Sequence, residues 1–370
     1  MRKVLIFTET IGGNGHYGAA KSIKKALTEL DASVHIKLIN GLSLVNRKLE
    51  NVIRRTYLQT LRHAPKLWGK AYAQEAKLSL VLQAPLGQLL ALYLQEVISR
   101  ENPDVVICTH AFCIGAIAKL KSVHHFRLGA AITDFDANRF WLHEDVDFYF
   151  VGHDKLRDKI QVEYKNAQVI STGIPIDPLF GEMGNLPKPL CRERIGIAEE
   201  QPTLLLMGGG MGLGPIEQLI EQLVAAFHDS LQIIVVTGRN SLLRQKCVTR
   251  YDHLPFVHIR GFVNEPAYYM AASDLIVTKP GGLTSSEALA MGLPIIISAP
   301  IPGHEERNTR FLLGQRVALR VDQQHEVSRY VRPFLEDPSF YRQFSARARN
   351  TGKPQSARHV AKVILAGMLD

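Results

Sequence analysis

The sequence predicts an α/β protein built from two Rossmann-like domains, and three observations lead to this prediction. Short apolar runs alternate with amphipathic helical patterns along most of the 370 residues, which is typical of parallel sheets covered by helices. Two glycine-rich loops, at residues 12–16 and 208–214, each follow an apolar run and open a helix. A third turn of this kind, at residues 280–282, again follows an apolar run.

Changes in composition predict the domain boundaries. Residues 181–202 are rich in proline, glycine and charge, and we interpret them as a linker containing a short helix. The first domain then covers residues 1–180 and the second residues 203–350. Residues 351–370 are predicted to form a C-terminal helix, and its packing against the first domain is one possibility that the pattern leaves open.

The overall composition is that of an ordinary soluble globular protein. Hydrophobic residues make up 46% of the chain and charged residues 21%. The four cysteines form no CxxC pair, which favours reduced thiols over a zinc site or disulfides. The first residues lead directly into an apolar strand without a secretory signal pattern. We therefore expect a cytoplasmic location.

A basic insertion at residues 42–100 is too long for an ordinary connection and is predicted to be helical. Residues 42–80 supply +6 of the net charge of +9, and residues 78–94 contain no charged residue. This pairing favours a surface that lies on an anionic membrane. A helical subdomain with a solvated basic face remains the alternative. The candidate membrane and acceptor contacts are Arg54, Arg55, Arg62, Trp68 and Tyr72.

Nucleic acid is the other polyanion that a basic chain could bind. The sequence contains no helix-turn-helix, zinc-finger or RNP pattern, so a nucleic-acid partner is not expected.

The first glycine loop places His16 beside the start of a helix. The positive end of that helix is expected to lower the pKa of His16 and keep its imidazole neutral, as a general base requires. Asp134 follows a later strand, at the edge of the sheet where ligands bind. It could orient His16 or act as the base itself. A packing role for His16 and a capping role for Asp134 remain open.

The turn at residues 280–282 is predicted to bind phosphate. A glycine turn that opens a helix directs backbone N–H groups toward an anion at the positive end of the helix dipole. We predict the helix at residues 287–291, with hydroxyls of Thr284, Ser285 and Ser286 as N-cap candidates. Glu287, in its first turn, could accept hydrogen bonds from ribose hydroxyls. The alternative is a tight loop without a ligand.

Five ordered motifs resemble a known family. They are GGNGHYGAAKSI, TDFDANRFWLHEDVDFYFVG, STGIPIDPLF, LLLMGGGMGLGPIE and TKPGGLTSSEALAMGLPIIISAPIPGHEERN. The last resembles the donor-binding signature of the processive diacylglycerol glucosyltransferases, and the fourth that of the monogalactosyldiacylglycerol synthases. Both belong to glycosyltransferase family 28, so the resemblance implies a GT-B fold with a cleft between two Rossmann-like domains.

The resemblance also implies an inverting, metal-independent transfer of a hexose from a UDP-sugar to diacylglycerol or a glycolipid, without a cofactor, on the inner face of the membrane. His16 would be the base, with Asp134 as the other catalytic candidate. The donor-binding residues would be Gly15, Gly209, Gly210, Arg239, Phe262, Val263, Gly282, Leu283, Thr284, Glu287, Glu305, Glu306 and Asn308. Among these, the glycine loops with Leu283 and Thr284 would hold the diphosphate, Phe262 and Val263 the uracil, and the last three the sugar.

One position departs from the family. His304 stands where many members have glutamine, in the loop expected to recognise the sugar. Glucose, galactose and GlcNAc all remain open as donor sugars. The sequence also leaves open a polyprenyl-linked or soluble acceptor, a GT-B-fold UDP-GlcNAc 2-epimerase, a non-catalytic nucleotide-sugar sensor, and the oligomeric state.

Overall fold

A computed structural model of the protein describes residues 2–10, 14–45, 52, 55–56, 59–60, 90–184 and 186–368. Its chain divides into two compact units. Unit 1 comprises residues 1–178, 302–304 and 355–370, and unit 2 comprises residues 179–301 and 305–354.

Unit 1 contains a six-stranded sheet in the order β2-β1-β3-β4-β5-β6. All of its pairings are parallel. The strands are β1 (Lys3–Thr8), β2 (His35–Asn40), β3 (Val105–Cys108), β4 (Arg127–Ala131), β5 (Phe148–Phe150) and β6 (Gln168–Ile170). The helices are α1 (Gly15–Leu30), α2 (Gly41–Val45), α3 (90–101), α4 (Ile114–Leu120) and α5 (Asp154–Glu163), with 3-10 turns at Ala111–Cys113 and Arg139–Trp141.

Strand β1 shows why this sheet is buried on both faces. Leu5 and Phe7 belong to one apolar cluster, whereas Val4 and Ile6 belong to another. Alternate side chains of a strand point to opposite faces, so a continuous apolar run is what a doubly covered parallel strand requires. Helix α1 packs on the Val4 and Ile6 face.

Unit 2 contains the second six-stranded sheet, in the order β12-β11-β10-β7-β8-β9, again entirely parallel. Its strands are β7 (Thr203–Met207), β8 (Gln232–Val236), β9 (Val257–Arg260), β10 (Leu275–Thr278), β11 (Ile295–Ser298) and β12 (Ala318–Val321). Its helices are α6 (Leu179–Met183), α7 (Lys188–Ile195), α8 (Ile216–Phe227), α9 (Ser241–Tyr251), α10 (Pro266–Ala272), α11 (Gly282–Ala290), α12 (His304–Gly314), α13 (Val327–Glu336) and α14 (Pro338–Thr351), with 3-10 turns at His228–Ser230 and Gln324–Glu326.

The final helix, α15 (Ser356–Ala366), belongs to unit 1. Its buried residues Ala357, Val360, Ala361 and Ile364 join the apolar cluster that contains helix α1. Arg358 contacts Glu29 of α1 at 3.2 Å. The last helix therefore completes one covering layer of the first sheet.

The α/β class and the two Rossmann-like halves predicted from the sequence are confirmed. Helix α7 lies within residues 181–202, and helix α6 ends there, so the stretch predicted as a linker with a short helix does contain a helix. The helix predicted at residues 287–291 begins earlier, at Gly282.

Asp274 anchors α7 and β7 at the amino end of β10. Its carboxylate accepts hydrogen bonds from Arg192 Nη2 at 2.9 Å and from the Thr203 N–H at 2.8 Å, and it also pairs with Lys188. Arg192 is only 6% exposed, and its Nε donates to the carbonyl of Ala272 at 2.9 Å. The guanidinium thus joins three segments of unit 2.

We expect Arg192→Met to lower the free energy of unfolding of unit 2 by about 3 kcal/mol, because it leaves buried acceptors and part of a buried charge without their donor. Urea denaturation followed by circular dichroism measures this change. Arg194→Met is the matched control, since Arg194 is exposed, its guanidinium lies over the ring of Tyr268, and its loss should cost less than about 1 kcal/mol. Equal losses in the two variants would contradict the anchoring role.

Candidate functional site

His16 lies in the first turn of α1 and is held by two threonines from neighbouring strands. Its Nδ1 lies 3.0 Å from the carbonyl oxygen of Thr109 and 2.7 Å from Oγ1 of Thr133. Thr109 also donates its hydroxyl to the carbonyl of His16, at 3.0 Å. Thr109 follows β3 and Thr133 follows β4, and both are buried. The ring and the backbone of His16 are therefore both fixed.

The Thr109 contact favours one tautomer of His16. A carbonyl oxygen can only accept a hydrogen bond, so the 3.0 Å contact with Thr109 is a hydrogen bond only when the proton is on Nδ1, and the Thr133 hydroxyl then also accepts from Nδ1. In the neutral imidazole, Nε2 then keeps its lone pair. Such a nitrogen can accept a proton from a hydroxyl group, as general-base catalysis requires.

The surroundings of His16 favour this neutral form. Burial lowers the pKa of His16 below its ordinary value of 6.5, whereas the charge of Asp134 and the Thr109 carbonyl act in the opposite direction. The direction agrees with the prediction from the helix terminus, but burial is the main cause. Asp134 acts on His16 through its charge, so the structure brings the two predicted catalytic residues into one electrostatic environment.

A second histidine packs against the first. The rings of His16 and His110 stand perpendicular to each other, with centroids 4.5 Å apart. His110 Nδ1 accepts the N–H of Phe112 at 3.2 Å, which caps the turn at Ala111–Cys113. Burial, with the neighbouring His16, holds the pKa of His110 well below its ordinary value. His110 thus presents a neutral ring to His16.

In unit 2, the loops after β7 and β8 are joined through glycines. Gly209 and Gly212 adopt positive φ angles of 68° and 56°. The Arg239 N–H donates to the Gly210 carbonyl at 3.0 Å. A side chain at Gly212 would begin 2.0 Å from the Thr237 carbonyl oxygen, so this close approach requires glycine.

An aromatic ring and a guanidinium form a flat surface beside these loops. Arg239 lies over the ring of Phe262 at 4.7 Å, and both residues are exposed. Each follows the carboxyl end of a strand, β8 for Arg239 and β9 for Phe262. Val263, the next residue, is half-buried. Planar surfaces of this kind are suited to stacking against a nucleobase.

Helix α11 begins at Gly282 without a side-chain cap. Its N-cap residue is Gly281, whose carbonyl accepts the N–H of Ser285 at 2.9 Å. The N–H groups of Gly282, Leu283 and Thr284 precede the first intrahelical bond. They are therefore of the kind that binds phosphate at a helix N-terminus.

The predicted N-cap role of Thr284, Ser285 and Ser286 is wrong. All three lie inside the helix, and Ser285 is fully buried. Glu287 is consequently in the second turn rather than the first, where it is 8% exposed. Glu287 still lies on the helix that begins at the predicted diphosphate-binding turn.

The three predicted sugar-contacting residues lie on α12 and already contact the protein. Glu305 is 3% exposed and pairs with Lys279, while Glu306 pairs with Arg320 at 2.9 Å. The Asn308 side chain is fully buried and donates to the Pro280 carbonyl at 3.0 Å. Their role in recognising a sugar stays a prediction.

Sequence reasoning did not identify several residues at these sites. Thr133 was not singled out, although it follows β4 directly before Asp134. Lys279 and Ser298 were also missed. Ser298, at the end of β11, is 3% exposed and, among the described atoms, its hydroxyl has no hydrogen-bond partner. It lines a small cavity with Thr278, Lys279 and Gly214. Position at a strand end was the available signal for all of these residues.

The basic insertion is described only in part. Arg55 lies on an exposed helical segment. Arg54, Arg62, Trp68 and Tyr72 fall outside the described residues. Within the described ranges, we find no helix with the length and hydropathy of a membrane span. The same ranges contain no group of three or more potential metal-ligating side chains.

These two parallel-sheet units, with strand-end loops suited to a nucleotide and a half-buried histidine suited to proton transfer, indicate a GT-B protein of the UDP-glycosyltransferase class. Residues 16–176 match the monogalactosyldiacylglycerol (MGDG) synthase family model, and residues 203–360 match the glycosyltransferase family 28 C-terminal domain. The chain therefore combines an N-terminal half that matches the MGDG synthase model with a glycosyltransferase family 28 C-terminal domain, in agreement with the family that its motifs indicated.

Curated relatives agree with this assignment. The chain is 27% identical to the processive diacylglycerol beta-glucosyltransferase of Bacillus pumilus, over 91% of this chain and 87% of the relative. The enzyme of the same name from Bacillus subtilis is also 27% identical, with the same coverage.

Solved structures confirm the fold alone. UDP-GlcNAc 2-epimerase from Neisseria meningitidis, bound to UDP-GlcNAc, superposes with a TM-score of 0.62 at 14% identity, covering 100% of both chains. MurG from Acinetobacter baumannii gives a TM-score of 0.61 at 15% identity, covering 99% of this chain and 100% of that one.

The contacts of His16 predict a specific pH dependence. If His16 is the base, its neutral form is the active one, so kcat/KM should rise with pH through the pKa of His16, with the inflection below 6.5. Asp134→Asn removes a charge that raises this pKa, so the inflection should move to lower pH. The measurement is a pH profile of kcat/KM for sugar transfer.

Asp136→Asn is the matched control, because Asp136 pairs with Lys159 and should leave the inflection in place. Loss of the acid limb in Asp134→Asn, with a fall in rate of about 10²-fold or more, would instead identify Asp134 as the base.

Proposed function

We propose that this protein is an inverting glycosyltransferase that moves a hexose from a UDP-sugar to the hydroxyl of 1,2-diacylglycerol at the cytoplasmic membrane face. The observation that carries the chemistry is the Nδ1 contact of His16 with the Thr109 carbonyl at 3.0 Å, which favours the tautomer whose Nε2 lone pair can accept a proton. The acceptor class is supported by the names of the curated relatives and by the basic insertion.

In the proposed reaction, the acceptor hydroxyl gives its proton to Nε2 of His16 as its oxygen attacks the anomeric carbon of the sugar. The bond from that carbon to the UDP oxygen breaks, and the configuration inverts. Negative charge then develops on the leaving diphosphate. Donors fixed in advance at that point stabilise this charge and contribute strongly to catalysis.

The groups proposed to stabilise the leaving diphosphate are backbone N–H groups. Gly282, Leu283 and Thr284 provide them at the start of α11, and Gly209 and Gly210 provide them in the loop after β7. In the proposed reaction these N–H dipoles stabilise the developing charge directly. The proposal assigns no role to a metal ion or a cofactor.

The nucleoside part of the donor is assigned to four further residues. The stacked pair of Phe262 and Arg239 would hold the uracil beside Val263. Glu287, on α11, would accept hydrogen bonds from the ribose. Glu305, Glu306 and Asn308 remain the candidates for the sugar, and His304 begins the helix that carries them.

A donor and acceptor panel tests this proposal. UDP-glucose, UDP-galactose and UDP-GlcNAc, each radiolabelled in the sugar, are incubated with diacylglycerol micelles, and the lipid products are analysed. A labelled glycolipid from at least one donor is expected. Transfer only to a polyprenyl-linked or soluble acceptor would refute the diacylglycerol assignment, and acceptor-free formation of an epimer from UDP-GlcNAc would refute the transferase assignment.

We expect His16→Ala to lower the transfer rate by about 10²-fold or more, because the acceptor hydroxyl loses its base, while UDP binding is retained. The matched control is His153→Asn. His153 caps α5 through its Nδ1, which accepts the Leu156 N–H at 3.1 Å, and asparagine can replace that cap. A His16→Ala variant with near-normal turnover would exclude His16 as the base.

Charge reversal in the insertion should weaken binding to membranes. Arg54→Glu with Arg55→Glu is expected to reduce co-sedimentation with anionic vesicles by about tenfold or more, because each basic residue near the surface contributes on the order of 1 kcal/mol. Arg342→Glu with Lys353→Glu changes the net charge equally at exposed positions of unit 2 and serves as the control. Equal losses in both double variants would argue against a specific role for the insertion.

A further inference from the structure

Lys279 and Glu305 form a buried ion pair in unit 2. Lys279 Nζ lies 2.6 Å from Glu305 Oε1, and the two side chains are only 14% and 3% exposed. Lys279 directly follows β10, and Glu305 is the second residue of α12. A pair this well buried is maintained only when its geometry and its remaining hydrogen bonds compensate for the loss of water.

The rest of the Glu305 carboxylate is also bound by the protein. Oε2 accepts the N–H of Ile301 at 2.7 Å. The Glu305 carbonyl accepts the hydroxyl of Thr309 at 2.8 Å, one turn further along α12. Both carboxylate oxygens therefore hold protein groups, and little of the side chain faces solvent.

A second connection runs in parallel with the ion pair. Asn308 Nδ2, on the same helix, donates to the carbonyl of Pro280 at 3.0 Å, and Asn308 is fully buried. Lys279 immediately precedes the turn at residues 280–282 that opens α11, and Pro280 is the first residue of that turn. The first turns of α12 are thus attached at two points to the segment that leads into the predicted diphosphate site.

The segment between β11 and α12 has an unusual backbone conformation that contacts with its surroundings must maintain. Ala299 adopts a φ angle of +48°, which is unusual for a residue with a side chain, and Gly303 adopts +108°. A segment with such a backbone persists only when its surroundings hold it. Ile301 lies between Ala299 and Gly303, and its N–H donates to Glu305. This hydrogen bond attaches the segment to the first turn of α12.

We propose that the Lys279–Glu305 pair is a positioning device that sets the distance between the diphosphate turn at residues 280–282 and the start of α12. This inference rests on the proposed function, in which the turn binds the diphosphate and α12 carries the sugar-contacting residues. It changes the role of Glu305, which acts through Lys279 and Ile301 instead of contacting the sugar itself.

The proposal predicts a selective loss of affinity. UDP contacts only the turn and the nucleoside surface, whereas a UDP-sugar engages the turn and α12 together. Loss of the pair should therefore weaken binding of the UDP-sugar and leave binding of UDP nearly unchanged. A role limited to general stability would change both affinities alike or neither.

The experiment measures the Kd of UDP, UDP-glucose and UDP-galactose by titration calorimetry for Lys279→Met, Glu305→Gln and the double variant. We expect each single variant to raise the Kd of the preferred UDP-sugar by about tenfold and that of UDP by less than about twofold. The double variant should bind the UDP-sugar no more weakly than either single variant, because both substitutions remove the same ion pair.

Two conservative variants keep the test decisive if the neutral variants fold poorly. Lys279→Arg retains the pair and should preserve binding of the UDP-sugar. Glu305→Asp retains the charge but shortens the side chain by one methylene, so it should lose the selective affinity. Lys188→Met is the control. It breaks the ion pair with Asp274 at the amino end of β10, and it should leave the affinities for UDP, UDP-glucose and UDP-galactose unchanged.

Three results would overturn the inference. If Lys279→Met weakened UDP as much as the UDP-sugar, Lys279 would bind the diphosphate directly. If Glu305→Gln alone altered the preference between glucose and galactose, Glu305 would contact the sugar. If the wild-type protein bound neither UDP nor a UDP-sugar, both the proposed function and the positioning role would fail. This result differs from the first two, in which the wild-type protein binds its ligands and only a variant is altered.

Discussion

The parallel direction of the strands is the constraint on which both candidate sites depend. All strands of a parallel sheet have their carboxyl ends on the same side of the sheet. Residues that follow different strands therefore meet there, although they are distant in sequence. In unit 1, β1, β3 and β4 are neighbours in the sheet. His16 lies at the start of the helix that follows β1, Thr109 follows β3 and Thr133 follows β4, so the three residues meet. In unit 2 the same rule gathers Arg239, Phe262, Lys279 and Ser298.

This constraint also explains how much the sequence could predict. Apolar runs mark strands that are buried on both faces, so the α/β class, the strand positions and the strand-end location of Asp134 followed from pattern alone. The order of the strands is not written in any local pattern. Thr133 could be identified as a partner of His16 only once β4 was known to lie two strands from β1.

The start of α11 shows a different limit. Local capping rules favour a helix that begins after a hydroxyl side chain, and they suggested a start near Glu287. The helix begins five residues earlier, at Gly282, without a side-chain cap. A capping hydroxyl would occupy the N–H groups that a ligand needs, so a ligand-binding helix terminus is a position where the usual rule is expected to fail. The glycines of the turn were the better signal.

Burial has different consequences at the two sites. At His16, burial lowers the pKa and favours the uncharged ring, which is the form that can accept a proton, while the charge of Asp134 acts in the opposite direction. At Lys279 and Glu305, two opposite charges 2.6 Å apart compensate each other. Such a pair resists displacement, because moving one member leaves the other charged and buried. The first arrangement suits a group that exchanges a proton, and the second suits a group that must stay in place. This difference is a physical reason to assign proton transfer to His16 and a fixed, positioning role to Glu305.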